Sequence, residues 1–410
     1  MTAEFLFYAI VTILVLQYLL DTFLDFLNAK NFLKDVPQEL ADVFDPDEYE
    51  KASKYHQEKY RFGLLKDGIM LLLVLAFLFL DGFAIVDNLV ADYSSNTYVR
   101  TLGFFGILAL GSTMLSFPFS YYNTFTIEEK YGFNTTTKAT FLSDIFKSGL
   151  LSILLGGGIL ALFLWFYTWV GTSFWIYAWL VATLLMLFMN LFYSKLLVPL
   201  FNKQTPLGAG QLKSAIEGYA QKVGFDLQHV FVIDGSKRST KANAYFSGFG
   251  KQKRVTLYDT LLQDLEEDEI VAVLAHEVGH YKRKHIVFNM LSSVILTGLL
   301  LYLLSLCIQL PALSMALGVE TPSFHAGLMA FFLLYSPISI TTGLIMNYLS
   351  RKFEFQADNY AKETFASSPL ISSLKKLSKN NLSNLTPHPA YVFVHYSHPP
   401  LLARIKNLKA

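Results

Sequence analysis

The sequence predicts an all-α protein that crosses a membrane several times and carries one soluble α+β insertion. Three observations predict it. Of 410 residues, 53% are hydrophobic, with 36 Phe and 23 Tyr, against roughly 45–50% in an ordinary soluble domain. Seven apolar stretches, at residues 5–26, 63–85, 101–122, 149–170, 174–196, 286–312 and 326–349, reach the ~20 residues a helix needs to span the hydrocarbon core. The loops between them alternate in charge. The segments 1–4, 171–173 and 313–325 hold no Lys or Arg and 86–100 holds only Arg100, whereas 30–62, 123–148, 197–285 and the tail are rich in both. Positive loops stay in the cytosol, so the N-terminus is expected outside and residues 197–285 and the C-terminus inside. The membrane would be a bacterial inner membrane or the endoplasmic reticulum.

The first stretch has no basic segment ahead of it and no small-residue cleavage site, so it is expected to be a retained helix. The run Gly156-Gly157-Gly158 in the fourth is expected to mark close packing against a neighbour. Four segments follow: 1–196 with the first five spans, the insertion 197–285, spans six and seven at 286–349, and a C-terminal segment 350–410. A net charge of +1 gives no reason to expect a nucleic-acid partner. A lone cysteine, Cys307, excludes a disulfide framework and a cysteine metal cluster.

Within the insertion, residues 212–223 have helical spacing and 229–233 are rich in strand formers. Residues 243–249 and 254–258 read as two more strands joined by a turn at 250–252. The edge of a strand can pair with an extended peptide. Asn243 reads first as a turn residue and second as a contact for such a peptide. The insertion ends on His276-Glu277-Val278-Gly279-His280. Carboxylates at 264–269 and cations at 282–284 suit the two ends of a helix. On it, His276 and His280 share one face and can offer two imidazole nitrogens to one metal ion. Glu277, about 100° around, could act on water at that metal without ligating it. This is the pattern of a zinc metalloprotease.

A two-histidine site needs a third protein ligand. Glu354 and Asp358, one helical turn apart, read either as a solvated acidic face or as that ligand plus an acceptor fixing a ligand histidine's tautomer. Position favours the second. His280 precedes the sixth span by about six residues and Glu354 follows the seventh by about five, each under ~10 Å of helix. Both are expected at the membrane's cytosolic edge, on extensions of adjacent antiparallel helices. His398, held extended before Pro399-Pro400, reads as a solvated histidine or as a donor to an oxyanion. His285 and His325 are left structural, and the N-x-[ST] matches at Asn134, Asn381 and Asn384 are taken as chance.

Together, His276-Glu277-Val278-Gly279-His280, Phe353-Glu354-Phe355-Gln356-Ala357-Asp358 and His395-Tyr396-Ser397-His398-Pro399-Pro400 resemble the type I CAAX prenyl endopeptidases. So do Glu128-Glu129-Lys130-Tyr131-Gly132-Phe133-Asn134, Pro199-Leu200-Phe201-Asn202-Lys203 and Asn243-Ala244-Tyr245-Phe246. The resemblance implies an integral-membrane zinc metalloprotease, with seven transmembrane helices forming a barrel-like, water-filled chamber capped by a cytosolic protease domain. It implies one zinc per chain on His276, His280 and Glu354, with His398, Asn243 and Arg404 at the active site. The expected partners are a peptide or lipidated protein substrate and the lipid bilayer, with the chain a monomer. Two other readings stand beside it: a membrane-protein quality-control protease with no prenyl requirement, and a transporter with structural zinc. A transporter would place ionisable groups deep in its spans, whereas here the charges gather near the span ends.

Overall fold

The computed structural model describes residues 1–32, 35–227, 229–247 and 254–410, with no side-chain description at 246 and 247. Helix α1 (Ala3–Asn31) is capped by Thr2, whose hydroxyl accepts from the Phe5 N–H. Helix α2 (Pro46–Phe79) starts on a reciprocal cap between Asp45 and Glu48, which satisfies two otherwise orphaned donors. It runs from the polar loop straight into its apolar stretch. The second expected span, 63–85, ends early: Asp81 adopts φ 52° and separates α3 (Gly82–Tyr93) from α2. Helix α4 (Thr97–Tyr122) widens into a π turn at Asn123–Glu128. Helix α5 (Lys138–Leu151) widens likewise at Ser152–Gly156 before α6 (Gly157–Val170). The glycine run therefore marks the exit from a widened turn. A Cβ at Gly156 or Gly158 would meet nothing within 4 Å and one at Gly157 only Leu102 at 4.0 Å, so the expected close packing is not found.

A short turn at Gly171–Ser173, with Gly171 at φ 59°, leads into α7 (Phe174–Leu196) and α8 (Val198–Phe201). The turn folds α7 back on α6, with the Tyr167 and Phe174 rings 5.6 Å apart and Phe166 and Tyr177 likewise 5.6 Å apart.

The insertion is built on a four-stranded sheet ordered β1-β2-β4-β3. Its strands are β1 (Gln204–Pro206), β2 (His229–Ile233), β3 (Ala244–Ser247) and β4 (Arg254–Tyr258). Strands β2 and β4 are parallel and the other pairs antiparallel. The expected pairing of β3 with β4 is present, while the turn at 250–252 lies outside the described residues. The strand β1 lies ahead of the strands expected from the sequence. Helix α9 (Gln211–Lys222) and the pair α10 (Asp259–Asp264) and α11 (Glu267–Lys282) pack on the sheet through Ile216, Val230, Val255, Leu257, Leu261 and Leu274, all buried.

Helix α12 (His285–Cys307) and the short α13 (Pro311–Met315) precede α14 (Phe324–Thr364), one helix of 41 residues. Lys284, at φ 61°, breaks the chain between α11 and α12. The His276–His280 helix is therefore not an extension of the sixth apolar span as expected, whereas Glu354 does lie on the helix of the seventh. The chain closes with α15 (Ser367–Asn380), α16 (Pro389–His395) and α17 (Leu401–Lys409).

Among the described residues, six helical segments are long and apolar enough to cross a membrane: Ala3–Asn31, Pro46–Phe79, Thr97–Glu128, Lys138–Phe201, His285–Cys307 and Phe324–Thr364. They expose apolar side chains such as Leu16, Phe23, Leu72, Leu110, Met114 and Leu184, a surface that water would penalise. The fourth segment holds two of the expected spans, one on each side of the Gly171–Ser173 turn.

Candidate metal centre

Helix α11 is fixed at its start by Glu269. This buried carboxylate accepts from the Glu266 N–H at 2.8 Å, from Ser372 at 2.6 Å and from Lys376 at 2.9 Å. Burial alone would raise its pKa, but these donors outweigh it and hold Glu269 below its usual range. One face of α11 then lies on α14. Gly279 makes this possible, because a Cβ there would stand 3.0 Å from Ala357 Cα and 3.1 Å from Tyr360 Cβ.

That close approach brings three residues together. His276 Nε2 lies 3.2 Å from His280 Nε2 and 3.5 Å from Glu354 Oε2, and His280 Nε2 lies 3.2 Å from Glu354 Oε1. Glu354 Oε2 is buried without a hydrogen-bond partner. His276, His280 and Glu354 each present one ligand atom, all within 4.8 Å of one another, an arrangement that can hold one metal ion. Glu277 is half-buried one residue further along α11.

Around this group stands a charged brace. His276 Nδ1 is 2.9 Å from Asp358 Oδ1, and Arg404 grips the same carboxylate through Nε at 2.9 Å and Nη2 at 2.5 Å. Burial works against a charged imidazole at His276, but the contact with Asp358 and the nearby Glu354 carboxylate prevail and raise its pKa to about 9. Burial likewise opposes the Arg404 charge, and Asp358 more than restores it. Glu354 Oε2 alone is left without a hydrogen-bond partner, and a cation held there would satisfy it.

His398 is mostly exposed, with Nε2 3.4 Å from Glu354 Oε1 and Nδ1 3.0 Å from Ser397 Oγ. The structure thus gathers six of the expected site residues: His276, His280, Glu354, Asp358, His398 and Arg404. Asn243 is exposed at the head of the edge strand β3, its Oδ1 accepting from the Ala244 N–H at 2.8 Å. The segment leading to it is anchored by Lys241, which donates to Glu128 at 3.0 Å and lies 4.2 Å over the Phe133 ring. This gives the 128–134 motif a position: it holds the approach to β3.

One neighbour was missed. His285 is buried, with Nδ1 3.0 Å from His280 Nδ1 and Nε2 2.8 Å from Gln356 Oε1. His325 is packed far along the chain against Asp87 at 2.7 Å and Thr101 at 3.3 Å.

A membrane-type helical array carrying a two-histidine, one-carboxylate site beside a half-buried glutamate defines a membrane metallopeptidase. The comparisons agree. Residues 25–203 match the family described as CAAX prenyl protease N-terminal, five membrane helices, and residues 206–410 match peptidase family M48. The chain belongs to peptidase family M48 and is a multi-span membrane protein. It is 36% identical over 409 residues to the CAAX prenyl protease 1 homolog of Arabidopsis thaliana, covering 97% of this chain and 96% of that one. With CAAX prenyl protease 1 of Saccharomyces cerevisiae it shares 35% identity over 403 residues, covering 91% and 88%. The crystal structure of S. mikatae Ste24p superposes with a TM-score of 0.94 at 33% identity, covering 99% of both chains.

Proposed function

We propose that this chain is a zinc endopeptidase that cleaves prenylated CAAX proteins at the cytosolic membrane face. The observation that carries the reading is the convergence of His276, His280 and Glu354 where the membrane helix α14 meets α11. The fit to zinc is good. Tetrahedral ligands ~2.1 Å from zinc stand roughly 3.4 Å from one another, and the three ligand pairs lie at 3.2, 3.2 and 3.5 Å. Bound there, zinc would supply Lewis acidity toward the scissile carbonyl and acidify the attacking water.

This chain's own residues do the rest. Glu277 takes the proton from the attacking water and passes it to the leaving amine. His398 donates to the oxyanion. Asp358 accepts a hydrogen bond from His276 Nδ1–H, which keeps the proton there and leaves the Nε2 lone pair free to ligate, and Arg404 holds Asp358 in place. The edge strand β3, with Asn243 at its head, pairs with the peptide.

The proposed architecture has seven spans, since Lys138–Phe201, at 64 residues, would measure ~96 Å as one straight helix, about three hydrocarbon thicknesses. The turn at Gly171–Ser173 makes two crossings of it. The seven would surround a chamber, with the N-terminus outside, the 197–285 and 350–410 segments cytosolic as the positive loops require, and the chain acting as a monomer. A buried lipid tail adds ~0.8 kcal/mol per CH₂, so a prenyl group could outweigh the peptide's own contacts. The test compares one peptide ending in a CAAX sequence, its cysteine either farnesylated or free, on purified protein in nanodiscs. The expected result is a much larger kcat/KM for the farnesylated form. Equal values would remove prenyl recognition and leave quality-control proteolysis in its place.

A further inference from the structure

We infer that Gln356 and His285 form a hydrogen-bonded relay that fixes the tautomer of His280 and thereby sets the metal affinity of the site. The inference rests on the metal-site reading above and extends it to two residues with no assigned role. His280 has its Nε2 among the converging ligand atoms, 3.2 Å from both His276 Nε2 and Glu354 Oε1. To ligate through Nε2, its ring proton must sit on Nδ1. That nitrogen faces His285 Nδ1 at 3.0 Å, and His285 Nε2 faces Gln356 Oε1 at 2.8 Å.

Two proton arrangements can satisfy such a chain. In the first, His280 Nδ1–H donates to His285 Nδ1, and His285 Nε2–H donates to the Gln356 carbonyl oxygen. In the second, the Gln356 amide is reversed and donates to His285 Nε2. The proton on His285 Nδ1 then points at His280 Nδ1 and drives the His280 proton onto Nε2, where it blocks ligation. Only the first arrangement leaves a ligand lone pair. The side-chain carbonyl of Gln356 is therefore the group that selects it.

The surroundings hold the relay still. His285 is only 3% exposed, and its ring stacks on Phe353 at 4.2 Å with the planes 10° apart. Phe353 and Gln356 flank Glu354 on α14, so one turn of that helix supplies the third ligand, the stacking ring and the relay's acceptor. His276 has the corresponding support in Asp358. The two ligand histidines thus differ in kind: one is backed by a carboxylate gripped by Arg404, the other by a neutral imidazole and amide.

The experiment measures the zinc dissociation constant by chelator competition, together with the thermal midpoint of each metal-free form. Gln356→Met keeps length but removes the acceptor, and His285→Phe keeps the stack but removes both nitrogens. Each should weaken zinc binding about 10–100-fold, as losing an outer-shell partner typically does, with little change in the metal-free midpoint. Gln356→Glu can only accept, so it should bind zinc at least as well as the wild type. His285→Asn, which keeps an acceptor near the Nδ1 position, should recover part of the loss. Wild-type affinity in both Gln356→Met and His285→Phe, while Glu354→Ala loses zinc, would overturn the relay and leave the metal site standing. Weakened binding in Gln356→Glu would overturn it too, since that outcome requires a donor at 356. Wild-type affinity in Glu354→Ala would instead remove the metal-site reading itself.

Discussion

Replacing Gly279 with alanine would put a methyl carbon 3.0 Å from Ala357 Cα, 3.1 Å from Ala357 O and 3.1 Å from Tyr360 Cβ. Carbon atoms pack at ~3.5–4.0 Å, so α11 and α14 must separate by roughly 0.5 Å. No flexible chain end lies among the three neighbours, so the backbones have to yield. Overpacking of this kind costs about 1–3 kcal/mol. The strain falls where it matters: His280 adjoins Gly279, and Glu354 lies one turn before Ala357. Spreading the helices stretches ligand pairs that now stand at 3.2–3.5 Å. If the whole cost is drawn from the closed, metal-bound form, zinc affinity falls about 5- to 150-fold, at 1.4 kcal/mol per tenfold. Chelator competition on wild type and Gly279→Ala reads this directly, with melting of the metal-free forms as a control. Unchanged zinc affinity with an unchanged melting midpoint would refute the claim that this contact sets the ligand spacing.

Four further expectations follow from the structure. Glu277→Gln should retain one zinc per chain by metal analysis while losing peptide cleavage; surviving turnover would put the general base elsewhere. His398→Ala should lower kcat by about 10²–10³, the usual loss of one oxyanion donor, and Asn243→Ala should also lower turnover. Zinc should stay in place in both, and unchanged kinetics would return His398 to the solvent. Glu269, held below the usual 4.5 despite its burial, contributes stability that is complete above its unfolded pKa and is lost as pH falls through its folded one. The stability gap between wild type and Glu269→Gln should therefore be flat near neutral pH and shrink in acid. A gap that widened in acid would reverse the assigned sign.

The metal helix was legible because its signals are local. Helical spacing places His276 and His280, and the charge gradient from 264–269 to 282–284 marks its ends; the structure adds only that Glu269 reaches across to Ser372 and Lys376. Glu354 and Asp358 were legible through their own turn of helix. His285 was not, and the reason is geometric. Five residues past His280 on an unbroken helix is about 140° away, which faces it off the site. The left-handed conformation at Lys284 turns the chain so that His285 comes back against His280, and a lysine carries no mark of that conformation. Asp81 hides the end of α2 in the same way. Strand β1 is three residues long and is made by pairing with β2, so its own composition does not mark it as a strand. The glycine run misled because glycine serves widened helical turns as readily as tight packing.

The order in which the site's parts occur along the chain has a consequence for its biogenesis. His276 and His280 are made before α12, and Glu354 only after the apolar part of α14, so two long apolar helical stretches separate the histidines from the carboxylate. A chain halted before those stretches are made carries two histidines and no glutamate to join them. Arg404, which steadies Asp358 and through it His276, is translated later still. Assembly of the centre thus waits until both stretches are made. The order of the residues along the chain therefore leaves this group of side chains to the last stage of folding.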